Sequence, residues 1–196
     1  MGIPMCRTFG GWMREGDDEE ETFGRIVSSI KECAAYAESK KVLIGLHNHN
    51  HGQIPATGEM VIRLLDAVDS PYFVGLLDTG QWYGSPGIGE GTTAYGKPDG
   101  KHGSPRGTID PEYDYLDSIK TAANSGRLVQ VRFKIYRIRS GKEDWLDYDA
   151  IAEILKDVDY NGWCSIVYEG QDDLEEIPAM RKAVPYLRSV LAEHKL

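Results

Sequence analysis

Residues 73–80 read Phe73-Val74-Gly75-Leu76-Leu77-Asp78-Thr79-Gly80. The run is apolar at odd and even positions alike, then ends in an acid and a turn. A strand covered on both faces has this form, and such strands belong to parallel sheets flanked by helices. The pattern recurs on either side. Upstream lies Val42–His47, and before it a weaker candidate, Pro4–Phe9. Downstream lie Leu128–Tyr136 and Trp163–Tyr168, the latter running into Glu169-Gly170.

Helical periodicity fills the intervals. Phe23, Ile26, Val27, Ile30, Ala34 and Ala37 fall on one face after the acidic run Asp17–Glu21, whose charges suit a solvated helix N-terminus. Thr57 is the expected N-cap of a helix over about 58–68, with Val61, Leu64, Leu65 and Val68 as its stripe. Further helices are expected over Pro111–Ala123, Tyr148–Val158 and 173–194, the last with Pro185 as a possible kink. Strand–helix alternation of this kind marks a parallel α/β fold. The expected fold is a single domain over residues 1–196, a partial (β/α)8 TIM barrel with about five parallel β/α units. A complete barrel needs about 250 residues, against 196 here. Residues 80–108 are expected to form a Gly-rich loop without period, of an uncommon length that usually marks a functional lid or a disordered segment.

The net charge of −9 argues against nucleic acid as a partner. No apolar run approaches the roughly 18 residues of a membrane span, and the first residues show no apolar leader, so a cytoplasmic protein is expected. Cys6, Cys33 and Cys164 have no CxxC or zinc-ligand spacing and are expected to be buried thiols.

Active sites of parallel α/β folds lie at the carboxyl ends of the strands. There the chain places His47-Asn48-His49-Asn50-His51, then Asp78-Thr79-Gly80-Gln81, then Arg132 and Lys134, then Glu169. With a period of two, His47, Asp78, Arg132, Lys134 and Glu169 can share one face and one mouth. The bland alternatives are turn capping by Asp78, a surface Glu169, and a solvated His-Asn run. Trp82, Tyr83 and Tyr95 suit either stacking on a sugar ring or anchoring of the long loop.

The segments LIGLHNHNHG, VGLLDTGQW, VQVRFKIYRI and SIVYEG resemble four consecutive strands of the xylose-isomerase-like sugar phosphate isomerase/epimerase family, with MCRTFGGW as the strand before them. The resemblance covers nearly the whole chain and maps it to barrel strands four to eight. It implies a divalent metal (Mn, Mg, Co or Zn) held by Glu, Asp, His and Glu of the last four strands. Asp78 and Glu169 match two of these. His47 stands where the family has its first Glu, and imidazole is an acceptable ligand. Arg132 stands where the family has His, and guanidinium has no lone pair to offer. At about 4 Å a +1 group repels a +2 ion by roughly 8 kcal/mol at an effective dielectric of about 20. Arg132 therefore turns away or takes the ion's place beside Asp78 and Glu169. Gln81 replaces a substrate-binding His of the family, and Lys134 matches its Lys.

The activity implied by resemblance is isomerisation or epimerisation of a sugar or polyol by proton transfer next to a carbonyl. Glu169, His47 and Lys134 would carry the chemistry. His49, Gln81, Trp82 and Arg132 would contact substrate, and His47, Asp78 and Glu169 would hold any metal. An inactive, truncated barrel serving as a sugar-binding or assembly module is the alternative, and metal-dependent hydrolysis or lyase chemistry on the same scaffold is a third. An open parallel sheet has two free edges, so a homodimer, or completion of the barrel by another chain, is expected.

Overall fold

In a computed structural model of the protein, residues 2–12, 16–50, 53–86 and 113–196 are described. The expected alternation is present. Strand β1 (Met5–Thr8) is followed by the short β2 (Gly11–Trp12), helix α1 (Glu19–Lys40), β3 (Leu43–His47) and the short β4 (Gln53–Ile54). Next come α2 (Gly58–Val68), β5 (Phe73–Asp78), α3 (Tyr115–Ala123), β6 (Leu128–Ile135), α4 (Tyr148–Asp157), β7 (Trp163–Tyr168) and α5 (Glu176–His194). Five strands form one parallel sheet in the order β1-β3-β5-β6-β7. This is a half-barrel.

The helix starts follow their sequence signals. Asp18 accepts the N–H of Glu21 at 2.9 Å, and Glu19, Glu20 and Glu21 fill the first turn of α1. Thr57 accepts the N–H of Met60 at 3.3 Å and caps α2. Pro185 lies inside α5, which continues through it to His194. One sheet face takes the helices: Phe73, Leu77, Val131 and Phe133 meet Leu64, Leu65, Ile151 and Leu155 in one buried core. The dense apolar character of β5 is thereby explained, since the opposite residues Val74 and Leu76 are buried too.

Two features depart from expectation. The segment after β1 is not only a turn: Gly11 and Trp12 pair antiparallel with Ile54 and Gln53. Only glycine suits position 10 there, because a Cβ would lie 2.3 Å from the Ile54 carbonyl oxygen. The three cysteines are exposed rather than buried. Cys6 and Cys164 lie on the two outermost strands, where no further strand–helix unit among the described residues covers them. Cys33 lies on α1, in an apolar groove that Cys6 also lines.

A buried acid organises the loop after β6. Glu143, 6% exposed, accepts the N–H groups of Tyr136 (2.7 Å), Arg137 (3.1 Å) and Trp145 (2.9 Å). Burial, the largest influence, raises its carboxyl from 4.5 to about 7, although these N–H groups favour the charged form. The folded chain therefore holds a proton that the unfolded chain releases. Glu143 should cost stability as pH rises from about 4.5 to 7, by on the order of 3 kcal/mol. Urea midpoints of wild type and Glu143→Gln across that window should diverge in slope; parallel curves would show that Glu143 does not titrate there.

Candidate functional site

The register gathers the polar residues of four strands. Asp78 lies beside Arg132, and His47 beside Leu76, one position short of Asp78's row on the same face. Lys134 pairs with Val167, so Glu169, two residues on, lies just beyond it. Gly45 lets the sheet close beneath, since a Cβ there would meet Met5 Sδ at 2.9 Å and Leu76 Cβ at 3.1 Å.

Asp78 is the centre of the cluster and is completely buried. Around its Oδ2 stand Lys134 Nζ at 3.4 Å, His47 Nε2 at 3.5 Å and Arg132 Nε at 3.8 Å. Its other oxygen, Oδ1, accepts the N–H of Gly80 at 3.0 Å. Lys134, 1% exposed, reaches from Asp78 to Glu169 Oε1 at 2.5 Å. The Glu169 side chain is 46% exposed and that of Arg132 17%, so these two are the charged groups a small molecule can reach. Gln81 Nε2 donates to Glu169 Oε2 at 3.3 Å and steadies its carboxylate.

His47 is 2% exposed and lies 3.0 Å, through Nε2, from Arg132 Nη1. An arginine N–H only donates, which assigns Nε2 as the acceptor and places the imidazole proton on Nδ1. Burial is the strongest influence on His47 and lowers its pKa; Asp78 opposes this, while Arg132 and Arg7 reinforce it. His47 is thus neutral near pH 7. At Asp78, burial works to raise the pKa, but the Lys134 ammonium and the Gly80 N–H hold it below the ordinary carboxylate value.

Several contributors were not singled out by sequence. Asn48 Oδ1 accepts the Asp78 N–H at 2.7 Å, and its Nδ2 donates to the Asp78 and Gln81 carbonyls at 3.0 Å each. It staples the end of β3 to the turn after β5. Its sequence signal is the His-Asn-His run at the end of β3. Asn48→Ala should destabilise the chain by roughly 2–4 kcal/mol, since it strands buried backbone groups; an unchanged urea midpoint would refute the staple. Thr79 Oγ1 accepts the Lys134 N–H at 2.9 Å, and the Tyr148 hydroxyl donates to the Lys134 carbonyl at 2.5 Å. Together they fix the backbone that carries Lys134. Phe9 sets its ring edge-on against His47 and His49, with centroids at 5.1 and 5.5 Å, and the Arg7 guanidinium lies 5.1 Å from the same ring.

The remaining candidates are placed as follows. His49 is half-buried beside Phe9, with Nδ1 2.7 Å from the Asn50 carbonyl. Trp82 is completely buried in the core, so it anchors the segment after β5 and offers no ring to a ligand. Tyr83 is buried against Ala56 and Tyr113. His51, Tyr95 and most of the 80–108 loop lie outside the described residues.

As arranged, the donors do not fit a resident divalent ion. His47 Nε2 faces Arg132, while Asp78 Oδ2 and Glu169 Oε1 face Lys134. Among the described residues, no group of three or more His, Cys, Asp or Glu is arranged to hold a metal. No helix among them is long and apolar enough to cross a membrane.

The sequence of residues 1–190 matches the xylose isomerase-like TIM barrel family. The chain belongs to that family. No curated protein matches it. Among solved structures, it is similar to D-psicose 3-epimerase with D-tagatose from Clostridium cellulolyticum H10, at 18% identity and a TM-score of 0.61, covering 90% of this chain and 59% of that one. It is also similar to the IolI protein with a binding zinc atom, at 15% identity and a TM-score of 0.66, covering 98% and 64%. A third is 3-keto-D-glucoside 4-epimerase from E. coli, at 16% identity and a TM-score of 0.61, covering 93% and 63%. At such identities the likeness shows the fold. The chain spans 59% to 64% of the length of these three structures.

Proposed function

We propose that this xylose isomerase-like chain binds a sugar or polyol at the mouth formed by β3, β5, β6 and β7, and moves a proton next to its carbonyl. The observation that carries the reading is Lys134, held between buried Asp78 and half-exposed Glu169. In this reading Glu169 removes a proton from the carbon beside the carbonyl. The electron pair moves onto the carbonyl oxygen, where Arg132, the cation within reach, stabilises the resulting enediolate, while buried Lys134 holds Glu169 in place. Glu169 then delivers the proton to the former carbonyl carbon, while the hydroxyl proton of the first carbon passes to the former carbonyl oxygen, so that the carbonyl moves by one position. Gln81 orients Glu169, His49 and Arg132 line the approach, and His47 positions Arg132. Arg132 and Lys134 already face the side chains that would hold a metal. The five strands would correspond to barrel strands four to eight. The test is solvent-deuterium incorporation into D-tagatose and D-psicose, read by mass spectrometry. Incorporation at the carbon beside the carbonyl supports the reading, and its absence with sugar still bound favours the second one.

That second reading is a sugar-binding or assembly module without turnover. It is favoured by Arg132 and Lys134, which face the side chains that would hold a metal. In either case β1 and β7 have one free edge each within the sheet among the described residues. A homodimer, or three further β/α units from another chain, would cover them. Sedimentation velocity separates monomer from dimer.

A further inference from the structure

The structure assigns to Arg132 and Lys134 the position and charge of a divalent ion: two organic cations, one per strand turn of β6, hold together His47, Asp78 and Glu169 in the way a metal would. This goes beyond the sugar reading and stands whether or not a sugar is turned over. Three residues of metal-ligating type converge on one mouth, yet His47 Nε2, Asp78 Oδ2 and Glu169 Oε1 each face a cation that cannot coordinate, Asp78 Oδ2 at ion-pair distance without a hydrogen bond. Arg132 Nη1 takes the His47 Nε2 lone pair at 3.0 Å. Lys134 Nζ bridges Asp78 Oδ2 at 3.4 Å and Glu169 Oε1 at 2.5 Å.

Charge closes the argument. Asp78 and Glu169 bring two negative charges, and Arg132 and Lys134 two positive ones. An added +2 ion would sit within a few ångströms of two fixed positive groups, and only two carboxylates would remain to offset all four positive charges. Lys134 cannot swing aside into solvent easily, because it is 1% exposed and its backbone is tied by Thr79 and Tyr148. Gly80 leaves room for its stem, since a Cβ at position 80 would lie 2.7 Å from Lys134 Cγ. The packing around Lys134 is therefore shaped to an ammonium group rather than to an ion.

Calorimetric titration of the full chain with Zn2+ and with Mn2+ tests this. Wild type should show no ion uptake that depends on Asp78. Arg132→Ala frees His47 Nε2 and one side of Asp78, and Arg132→His adds a donor; the latter should bind Zn2+ about 100-fold more tightly than wild type. Adding Asp78→Asn to it should abolish the gain. Nitrogen-15 NMR of wild type, with His47 assigned through its loss in His47→Gln, should show the proton on Nδ1 and no shift on addition of Zn2+. One equivalent of ion bound by wild type and lost in Asp78→Asn would overturn the assignment. So would wild-type affinity in folded Arg132→Ala and Arg132→His, or a stoichiometric Zn2+ shift of His47. Ketose exchange is not read in any of these arms, so their failure is distinct from failure of the sugar reading.

Discussion

Replacing Asp78 with Asn is expected to cost about 3–5 kcal/mol of stability, because it leaves a buried cation without its counter-charge. For a chain of this size that corresponds to a fall in Tm of about 6–20 °C. The substitution is nearly isosteric, and an Asn oxygen can still accept the Gly80 N–H that Oδ1 accepts at 3.0 Å. What disappears is the charge facing Lys134 at 3.4 Å and Arg132 at 3.8 Å. Lys134, 1% exposed, would retain Glu169 alone, at the half-exposed rim. The pH dependence gives an independent check. Asp78 has a folded pKa below its ordinary 3.8, so its stabilising contribution is full above that value and is lost as pH falls through the folded value. The gap between wild type and Asp78→Asn should therefore narrow in strong acid. A gap that is small at pH 7, or constant with pH, would mean that Asp78 is not the counter-ion of this cluster.

The same residue shows what sequence could and could not supply. Asp78 ends a strand whose apolar character at odd and even positions required cover on both faces, and that requirement defined the parallel sheet. Once the sheet was parallel, its carboxyl ends were the place to look, and residues two apart shared a face. His47, Arg132, Lys134 and Glu169 were legible by that rule, and they lie around Asp78. Their pairing was not legible. That Lys134, and not Arg132, bridges the two acids depends on the register of β6 against β7 and on how deeply each side chain is buried. Asn48 was passed over because amides in a polar run usually mark a solvated loop, whereas here it satisfies one N–H and two carbonyls of the next strand end. The exposure of Cys6 and Cys164 was hidden for another reason. Apolar strands predict burial only when neighbours exist on both sides, and β1 and β7 are the outermost strands. Trp82, an aromatic beside a glycine-rich stretch, reads equally as a stacking platform or as an anchor, and only its burial decides for the anchor.

Glu169→Gln should separate chemistry from architecture. Its side chain is 46% exposed, and an ion pair at that level of exposure contributes at most about 1 kcal/mol. The variant should therefore melt within a few degrees of wild type, unlike Asp78→Asn. Its proton transfer should fall by about 10²–10⁴-fold, the usual contribution of a positioned general base. A glutamine cannot accept the substrate proton, yet it keeps the size of the side chain and can still reach Gln81. Sugar affinity should accordingly change little, because Arg132 and His49 line the approach independently of the charge at 169. Deuterium incorporation into D-tagatose, measured beside binding of the same sugar, reads the two quantities apart. Exchange that persists at the wild-type rate in Glu169→Gln would remove Glu169 as the base.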